Sequence, residues 1–475
     1  MLNSVTEPAH EIPVRAECDV LIVGGGTAGV CAAIASARNG AKTILVEQLP
    51  LPSGTMTNGG IVANSFYSTW TEECHDPKRV VEGIAKEIMD RVIAKKGCPG
   101  GIKVDPTQNG YRRPYMFISD PEVYKATICE MLMEAGVKTY VHMFFSKIIH
   151  DKTGKPMGII VESKSGREAL LAKCFVDCSG DGDLAVSAGA ISHPFFQEYN
   201  VRPLASIGKV FGIANVDFDR FLCFAEEEGI LVGLSRERNE GEIFSGKQTL
   251  TRISVNFHNG KSTGQYFEGM PMRSVTFFSI HENTIDFVNG IGRQNVNIKN
   301  IEELSSIEME MQIFIQQFME VLQTYIPGFE YAFIKSAANQ IGIRASRVVE
   351  TDYVPSIEEI TSGVRYEDEI GNYGHSDYMP VDEKSIMHNQ GFYGIPYRMI
   401  LPKGLDNVFV AGRMVSTTLR SHMSTRNTVS CMIQGQAAGT AAALCVSRGE
   451  TSRELPYPIL REALIKGKVH FEPII

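Results

Sequence analysis

The sequence predicts an α/β protein in which helices cover a mainly parallel sheet and a second, α+β segment is inserted into the chain. Three observations predict it. The run "CDVLIVG" at 18–24 is apolar without alternation, as in a parallel strand that is buried on both faces. A helical pattern of small residues and a second apolar strand pattern, "KTILVE" at 42–47, follow directly. Two more apolar strand patterns, at 170–178 and 405–412, are separated by a long stretch of different character.

The size and charge of the chain narrow its class. With 475 residues it exceeds the usual size of a single hydrophobic core, so two domains are expected. A composition of 43% hydrophobic and 21% charged residues is that of an ordinary globular protein. The formal net charge of -9, without a basic stripe, argues against a nucleic-acid partner.

Other sequence features concern location and thiol chemistry. The most apolar stretch, "GQAAGTAAALCV" at 435–446, is too short to span a membrane. The first residues lack the basic and apolar regions of a secretory signal, so we expect a cytoplasmic protein. The ten cysteines form no C-x-x-C pair. Cys174 and Cys178 stand in an apolar strand pattern and are expected to be buried free thiols, and no metal site is predicted.

A glycine-rich turn joins the first strand pattern to the first helix. Gly24, Gly26 and Gly29 have the spacing G-x-G-x-x-G, which permits a tight turn, a close approach of pyrophosphate, and close packing of helix on strand. The unpaired N–H groups and the positive dipole end of the helix would face the phosphates. Glu47 ends the second strand pattern, where a carboxylate can bind both ribose hydroxyls and would repel a 2′-phosphate. The pattern therefore predicts a dinucleotide other than NADP.

The fingerprint alone does not distinguish FAD from NAD, but later motifs do. A loop rich in glycine and hydroxyl residues occupies 48–68, "SGDGD" follows a strand at 179–183, and "AGR" follows another at 411–413. With "GIRASR" at 342–347, "IPYR" at 395–398 and "GQAAGTAAA" at 435–443, the chain resembles the FAD-dependent oxidoreductases of the glutathione-reductase-like superfamily. Its final segment resembles, more distantly, the flavoprotein subunits of succinate dehydrogenase and fumarate reductase. The sequence has no second nucleotide fingerprint, so a built-in NAD site is not expected.

The resemblance implies a Rossmann-like domain that binds FAD non-covalently, and it implies positions for the parts of the cofactor. The pyrophosphate would lie at Gly24, Gly26, Thr27, Ala28 and Gly29, and the adenosine ribose at Glu47. The ribityl chain and flavin would lie along Gly54, Thr55 and Thr57, and Gly180 and Asp181 would shape the return turn of the chain near the adenosine half. Gly412 and Arg413 would approach the pyrophosphate and ribityl chain, and Asn427 and Thr428 would face the flavin pyrimidine. The chain has Ser53-Gly54 where relatives often have two glycines, and Ser179 where many have threonine.

The segment between about 195 and 345 has aromatic and alternating stretches followed by one long helical pattern. This predicts an α+β cap, or substrate domain, over the flavin. The predicted domains are 1–195 and 346–475 for FAD and 196–345 for the cap. Met309, Met311 and Met319 on the long helix are most simply core residues.

Two residues are candidates for catalysis. His422 takes the place of a substrate-binding arginine in the fumarate reductase and succinate dehydrogenase subunits, and an imidazole there could act as a general base. The alternative is a histidine that is hydrogen-bonded to the backbone. Arg398 could bind a substrate carboxylate or the flavin carbonyl edge, or form an ion pair. Arg347 and Glu350 are spaced for a local ion pair.

The resulting expectation is a dehydrogenase or oxidase that transfers a hydride between a small or medium-sized polar substrate and flavin N5. The alternatives are a flavin monooxygenase and an electron-transfer flavoprotein without its own small-molecule substrate. The electron acceptor is left open among O2, a quinone and a redox protein, and homo-oligomerisation is also left open.

Overall fold

The computed structural model describes residues 4–60, 63–103, 115–194, 207–238, 249–261, 274–290, 292–293, 296–374 and 387–471. The predicted domain boundary at 195 and 196 lies outside these residues, and the one at 345 and 346 lies inside them. Both boundaries stay predictions.

Helices and strands are interspersed along the described chain. The helices are α1 (Thr27–Arg38), α2 (Gly83–Ala94), α3 (Pro121–Glu134), α4 (Asp183–Ser187), α5 (Phe218–Glu228), α6 (Ile301–Tyr325), α7 (Ile357–Ser362), α8 (Leu419–Thr425), α9 (Thr428–Arg448) and α10 (Tyr457–Lys466). The strands are β1 (Val14–Val23), β2 (Thr43–Val46), β3 (Ala63–Asn64), β4 (Gly101–Lys103), β5 (Tyr115–Ile118), β6 (Lys138–Tyr140), β7 (Phe144–His150), β8 (Pro156–Ser163), β9 (Gly166–Asp177), β10 (Ser192–Pro194), β11 (Phe211–Ala214), β12 (Leu231–Arg238), β13 (Thr249–Asn256), β14 (Ser274–Ser279), β15 (Thr284–Ile285), β16 (Phe287–Asn289), β17 (Phe333–Ala337), β18 (Arg347–Val349), β19 (Glu369–Tyr373), β20 (Tyr393–Pro396) and β21 (Val408–Val410).

The largest sheet has seven strands in the order β6-β2-β1-β9-β8-β7, and β21 also pairs with β9. The strands β6, β2, β1, β9 and β21 run parallel to one another. The two apolar runs near the N-terminus pair directly, with Val20 opposite Thr43. From Val20 onward both strands are buried, as the absence of polar alternation predicted.

Strand β9, with 12 residues, shares one of its edges between two partners. Residues 166–171 pair antiparallel with β8, and residues 175–177 pair parallel with β21. The carboxyl ends of β1, β2, β9 and β21 therefore lie together at one edge of the sheet. Ligands of open parallel sheets bind at this edge.

Helices α1 and α9 lie side by side with their axes parallel. A Cβ on Gly435 would be 2.1 Å from the carbonyl oxygen of Ala28, and a Cβ on Gly439 would be 2.0 Å from that of Ala32. The two contacts advance together by four residues along both helices, which establishes the parallel direction. Glycine at both positions is what allows the backbones to approach so closely.

Within the described residues, α9 is the one helix that is long and apolar enough to cross a membrane, and 89% of its most apolar window is buried inside the protein. It extends beyond the apolar stretch at 435–446 because it begins at Thr428. Its contacts with α1 and the sheet make it a core helix of the fold.

All ten cysteines are free thiols. Cys174 and Cys178 are buried in and just after β9, as predicted. Burial raises the pKa of both thiols, so they stay protonated at neutral pH and are poor nucleophiles.

The first hydrophobic cluster is the core around the seven-stranded sheet, α1 and α9. A second hydrophobic cluster lies between residues 207 and 341. It contains one face of the antiparallel sheet β12-β13-β14-β16 and the buried faces of α5 and α6. In α6, Met311 and Met319 are buried as predicted, but Met309 is 64% exposed. The core prediction for Met309 is wrong because helical spacing places it on the face opposite Ile307 and Met311.

A three-stranded sheet in the order β3-β5-β4 lies where the first half of the fold, residues 4–194, meets the second half, residues 207–341. Met116 and Ile118 of β5 pack with Val210, Phe278 and Ala338 of the second half. Because β3–β5 precede the predicted insertion, the second half packs against a segment from the first part of the chain.

A histidine joins the same two halves. His281 Nδ1 lies 2.6 Å from Asp286 Oδ1, and its Nε2 lies 3.5 Å from Asp120 Oδ2 at the N-cap of α3. Lys335 Nζ also contacts Asp286, at 2.9 Å. The hydrogen bond to Asp286 raises the pKa of His281.

Candidate functional site

The turn after β1 excludes side chains at two of the three fingerprint glycines. Gly24 has φ +93°, and a Cβ on it would lie 2.4 Å from the carbonyl oxygen of Cys178. A Cβ on Gly29 would lie 1.8 Å from the carbonyl oxygen of Gly24. The packing of the chain itself therefore requires both glycines.

Gly26 differs, because the described chain leaves space beside it. A Cβ there would meet the carbonyl oxygen of Cys178 at 3.9 Å and nothing closer. Gly26 is the N-cap of α1, which has no side-chain cap and no acidic residue in its first turn. The N–H groups of Thr27 and Ala28 have no partner within the helix. An open glycine beside an uncapped helix N-terminus is the geometry of a phosphate site.

Glu47 supports this turn directly. The residue is 5% exposed, and its carboxylate accepts hydrogen bonds from Gly25 N at 2.7 Å and Leu49 N at 2.8 Å. Burial raises the pKa of Glu47. The structure thus gives Glu47 a bracing role that sequence reasoning missed, and its role at the ribose stays a prediction.

The loop at 53–60 lies against the fingerprint turn. Ser53 has φ +87° and donates its N–H to the carbonyl oxygen of Gly25. A Cβ on Gly54 would lie 3.1 Å from Gly26 Cα. The segment predicted to follow the ribityl chain is therefore next to the predicted pyrophosphate site.

The two threonines of this loop are in different surroundings. Thr55 is half-buried in the 3-10 turn Gly54–Met56. Thr57 is buried, and its hydroxyl donates to the carbonyl oxygen of Pro52 at 3.1 Å. The Thr57 hydroxyl therefore stabilises the loop, and its contact with a flavin stays a prediction.

Asp181 and Arg413, which follow different strands, form an ion pair with 2.8 Å between Oδ1 and Nη2. Ser346 Oγ donates to the same carboxylate oxygen at 2.5 Å. Gly180 has φ +84°, and a Cβ on it would lie 2.7 Å from Arg413 Nη1. Because Gly180 has no side chain, the Arg413 guanidinium can lie directly against it.

Arg347 stabilises the same turn. It donates to the carbonyl oxygen of Asp181 and pairs with Asp183. The local pair with Glu350 that the spacing allowed is not seen in the described chain, because Glu350 contacts His193 and Lys403 instead. The spacing prediction fails because the turn after β9 brings stronger partners from a distant part of the chain.

Gly412 is held by a glutamine that sequence reasoning missed. Its φ is +132°, and its N–H donates to Gln434 Oε1 at 2.9 Å. Gln434 Nε2 donates in turn to the carbonyl oxygen of Thr425 at 2.9 Å. The buried Gln434 therefore ties the turn after β21 to the end of α8.

Helix α9 begins beyond α1 along their common direction. Since Gly435 lies at Ala28, the start of α9 at Thr428 projects about 9 Å past the start of α1 at 1.5 Å per residue. The N-cap residue Asn427 donates its side-chain amide to the carbonyl oxygen of Met423 and does not cap α9, whose first turn has no acidic residue. Two uncapped N-termini thus point to the same edge of the sheet at different depths.

His422 is 1% exposed within α8. Its Nε2 lies 2.9 Å from the carbonyl oxygen of Arg413, so it is adjacent to the turn after β21. The structure forms the backbone hydrogen bond that the sequence left open as an alternative, and a catalytic role for His422 stays a prediction.

Arg398 lies in the 3-10 turn Tyr397–Ile400 after β20 and forms an ion pair. Its Nε and Nη2 contact the Asp368 carboxylate at 2.9 and 3.2 Å, and its guanidinium stacks over the Tyr353 ring at 4.7 Å. These contacts do not connect it to the fingerprint turn. A contact of Arg398 with a substrate stays a prediction.

Asp177 is a further residue that sequence reasoning missed. It ends β9 fully buried and accepts from Ser179 N at 2.9 Å, Ser179 Oγ at 2.7 Å and Ala185 N at 2.8 Å. Burial raises its pKa to about 6. The signal for it was a single acidic residue inside the apolar run "CFVDC". Asp177 shapes the turn that carries Gly180 and Asp181.

The donors at this edge fit FAD. Arg413 Nε and Thr417 Oγ1 are buried and have no hydrogen-bond partner among the described residues. An unpaired buried polar group costs about 1–3 kcal/mol, so a bound group that supplies acceptors would stabilise the site. The open space at Gly26 and the two uncapped helix N-termini suit the phosphates and carbonyl groups of such a cofactor.

Comparison with known proteins gives the same answer. The family model described as FAD dependent oxidoreductase matches residues 19–464. Thiamine thiazole synthase of Methanococcus vannielii is 27% identical over 262 residues, which cover 54% of this chain and 83% of that protein. Sarcosine oxidase subunit alpha of Rhizobium meliloti is 26% identical over 130 residues, 26% of this chain and 13% of that protein.

Among solved structures, a geranylgeranyl bacteriochlorophyll reductase-like protein of Thermoplasma acidophilum aligns over 96% of this chain and 84% of its own, with 14% identity and a TM-score of 0.46. The family assignment does not depend on that alignment. It depends on the family match, which runs almost from the first strand to the last helix. The chain belongs to the FAD-dependent oxidoreductase family, and it is an enzyme whose cofactor is FAD.

Proposed function

We propose that the protein oxidises a small or medium-sized polar organic molecule with non-covalently bound FAD, or runs the reverse reduction. The observation that supports this most is the pair of uncapped, parallel N-termini of α1 and α9, offset by about 9 Å. When bound, FAD supplies a hydride acceptor at N5.

The two helix ends have separate tasks in this proposal. The start of α1, beside Gly26, binds the phosphates through backbone N–H groups. The start of α9, at Asn427 and Thr428, presents N–H groups and a positive dipole end where negative charge develops. An offset between them suits a cofactor whose phosphates and ring lie at different depths.

Arg413 adds positive charge at the same edge. Its guanidinium is already oriented by Asp181, so it does not have to reorganise when a ligand binds. Gln434 holds the preceding Gly412 in position. The turn after β21 is thus fixed from both sides.

His422 is proposed as the residue that removes a substrate proton. A carbonyl oxygen accepts only, so the contact with Arg413 requires His422 Nε2 to carry its proton. A base role must then use Nδ1. Arg398 is proposed as a contact for a substrate carboxylate, and this requires its pair with Asp368 to open.

The proposed partners are a small-molecule substrate and an electron acceptor, which is O2, a quinone or a redox protein. Nucleic acid is not among them, because the net charge of -9 opposes phosphate binding over a broad surface.

The test begins with the visible spectrum of the purified protein, with added FAD if needed, before and after denaturation. Anaerobic addition of hydroxy acids, sugars, amines and dicarboxylates then follows. Sarcosine is included because sarcosine oxidase subunit alpha is a relative. Bleaching by one class identifies the substrate, and His422→Ala should slow that bleaching. Oxygen from labelled O2 in the product would instead establish a monooxygenase, and a protein that binds no FAD would refute the proposal.

A further inference from the structure

Asn64 is a buried amide whose hydrogen bonds are not made by the described chain. It is 4% exposed, and neither its Oδ1 nor its Nδ2 has a partner among the described residues. Native proteins rarely leave a buried amide in this state. Water or a bound ligand is therefore expected to provide its partners.

Its position is at the junction of the two halves. The loop before it starts at the fingerprint turn, where Gly54 faces Gly26. Further along, Asn58 accepts a hydrogen bond from Asn339 N at 2.9 Å, and a Cβ on Gly60 would lie 3.3 Å from Val210 Cβ. The loop thus runs from the predicted pyrophosphate site to the second half, and β3 with Asn64 follows.

The strand pairing shows which face of β3 carries the amide. Ala63 pairs with Ile118, and both pack in the cluster that contains Val210. Asn64 pairs with Phe117, so its side chain points to the opposite face. Phe117 packs there against Phe66, with ring centroids 5.4 Å apart. Aromatic rings offer an amide no ordinary hydrogen-bond partner.

We propose that Asn64 is a ligand-contacting residue at this junction and that its carboxamide binds a neutral polar edge with an acceptor beside a donor. The flavin pyrimidine ring has such an edge, and so does a substrate with a hydroxyl or amide group. A carboxylate offers acceptors only and would leave Asn64 Oδ1 unpaired. This inference rests on the proposed function, because it assumes that FAD and a substrate meet at the same edge.

The variant Asn64→Leu tests it with three measurements: the unfolding temperature of the apoprotein, the dissociation constant for FAD from flavin fluorescence, and KM with the substrate found above. Because the amide has no partner among the described residues, the Asn64→Leu apoprotein should unfold at a higher temperature than the wild-type apoprotein. FAD affinity should fall about tenfold if the ring is the partner, or KM should rise about tenfold if the substrate is.

Asn372 provides the matched control. It is 1% exposed, its amide atoms also have no partner among the described residues, and it lines a separate small pocket with Val80, Gln436 and His470. Asn372→Leu should leave FAD affinity and KM unchanged.

Two results would overturn the inference. An Asn64→Leu protein with wild-type FAD affinity and wild-type KM would show that water satisfies the amide. A less stable or unfolded Asn64→Leu apoprotein, with the same loss in Asn64→Ala, would show that the chain itself provides the partner. Failure of the proposed function is separate, because it appears as absence of FAD binding by the wild-type protein.

Discussion

At Asp177, burial changes the charge state of a single carboxyl group. Its pKa of about 6 in the folded protein lies above the value of 3.8 expected for an exposed aspartate. Between these values the folded protein holds a proton that the unfolded chain has lost, so the free energy of unfolding falls as pH rises. Asp177 should therefore lower the free energy of unfolding by about 2 kcal/mol between pH 4 and pH 6.5.

The measurement is urea unfolding of the apoprotein over this range, for the wild type and Asp177→Asn. The variant has no titrating group at 177, so the difference between the two curves isolates this residue. A difference that is constant across the range would show that Asp177 is not perturbed by burial.

Ser53 has a backbone conformation that favours glycine. Its φ of +87° is unfavourable for a side chain by about 1–2 kcal/mol. Ser53→Gly should therefore be more stable than Ser53→Ala by about 1 kcal/mol, the reverse of the usual order for these two residues. Thermal or urea unfolding of the two variants gives the comparison, and an alanine variant of equal or greater stability would contradict it.

At the scale of elements, the start of α9 has no side-chain cap, which lowers the stability of the helix but leaves its first N–H groups available to a ligand. An acidic residue there favours the helix dipole by about 0.3–1 kcal/mol. Thr428→Asp should therefore raise the unfolding temperature of the apoprotein, while it weakens FAD binding and lowers the flavin reduction potential by repulsion.

Thr428→Asn is the matched control, because it has nearly the same shape without the charge. Calorimetry, an FAD titration and a potentiometric titration of both variants separate charge from shape. Equal reduction potentials in the two variants would show that the start of α9 is not near the flavin.

At the scale of the whole molecule, His281 is a pH-dependent link between the two halves. It faces Asp286 and Asp120, with Lys335 also at Asp286. Because its pKa is raised in the folded protein, its contribution to stability is complete below about pH 6.5 and is lost as pH rises through the raised value.

The advantage of the wild type over His281→Gln in the free energy of unfolding should accordingly shrink as pH rises from 6 to 9. Lys335→Met provides a second check, since removal of the competing cation should raise the His281 pKa further and shift the loss to higher pH. A pH-independent difference between wild type and His281→Gln would refute this link.

Local patterns were sufficient for the central part of the fold. The apolar runs at β1, β2, β9 and β21 predicted buried parallel strands, and all four pair in one sheet. Gly24 and Gly29 were predicted from their spacing within one short segment, although only the constraint on Gly29 is local: Gly24 is limited by the distant carbonyl oxygen of Cys178. The long helix α6 was predicted, but the exposure of Met309 was not, because apolar residues such as Met309 and Ile313 also lie on the exposed face of this helix.

The sequence by itself determined the fold class, the cofactor and the position of the fingerprint, because these depend on strand burial and on glycines within one short segment. Only the tertiary structure decided the partners of the charged and polar side chains. It paired Arg413 with Asp181, bound Gly412 to Gln434, placed β3 and Asn64 at the junction, and engaged Arg398 with Asp368. Such contacts join residues far apart in the chain, and several chemically equivalent partners are available to each, so only the folded geometry selects among them.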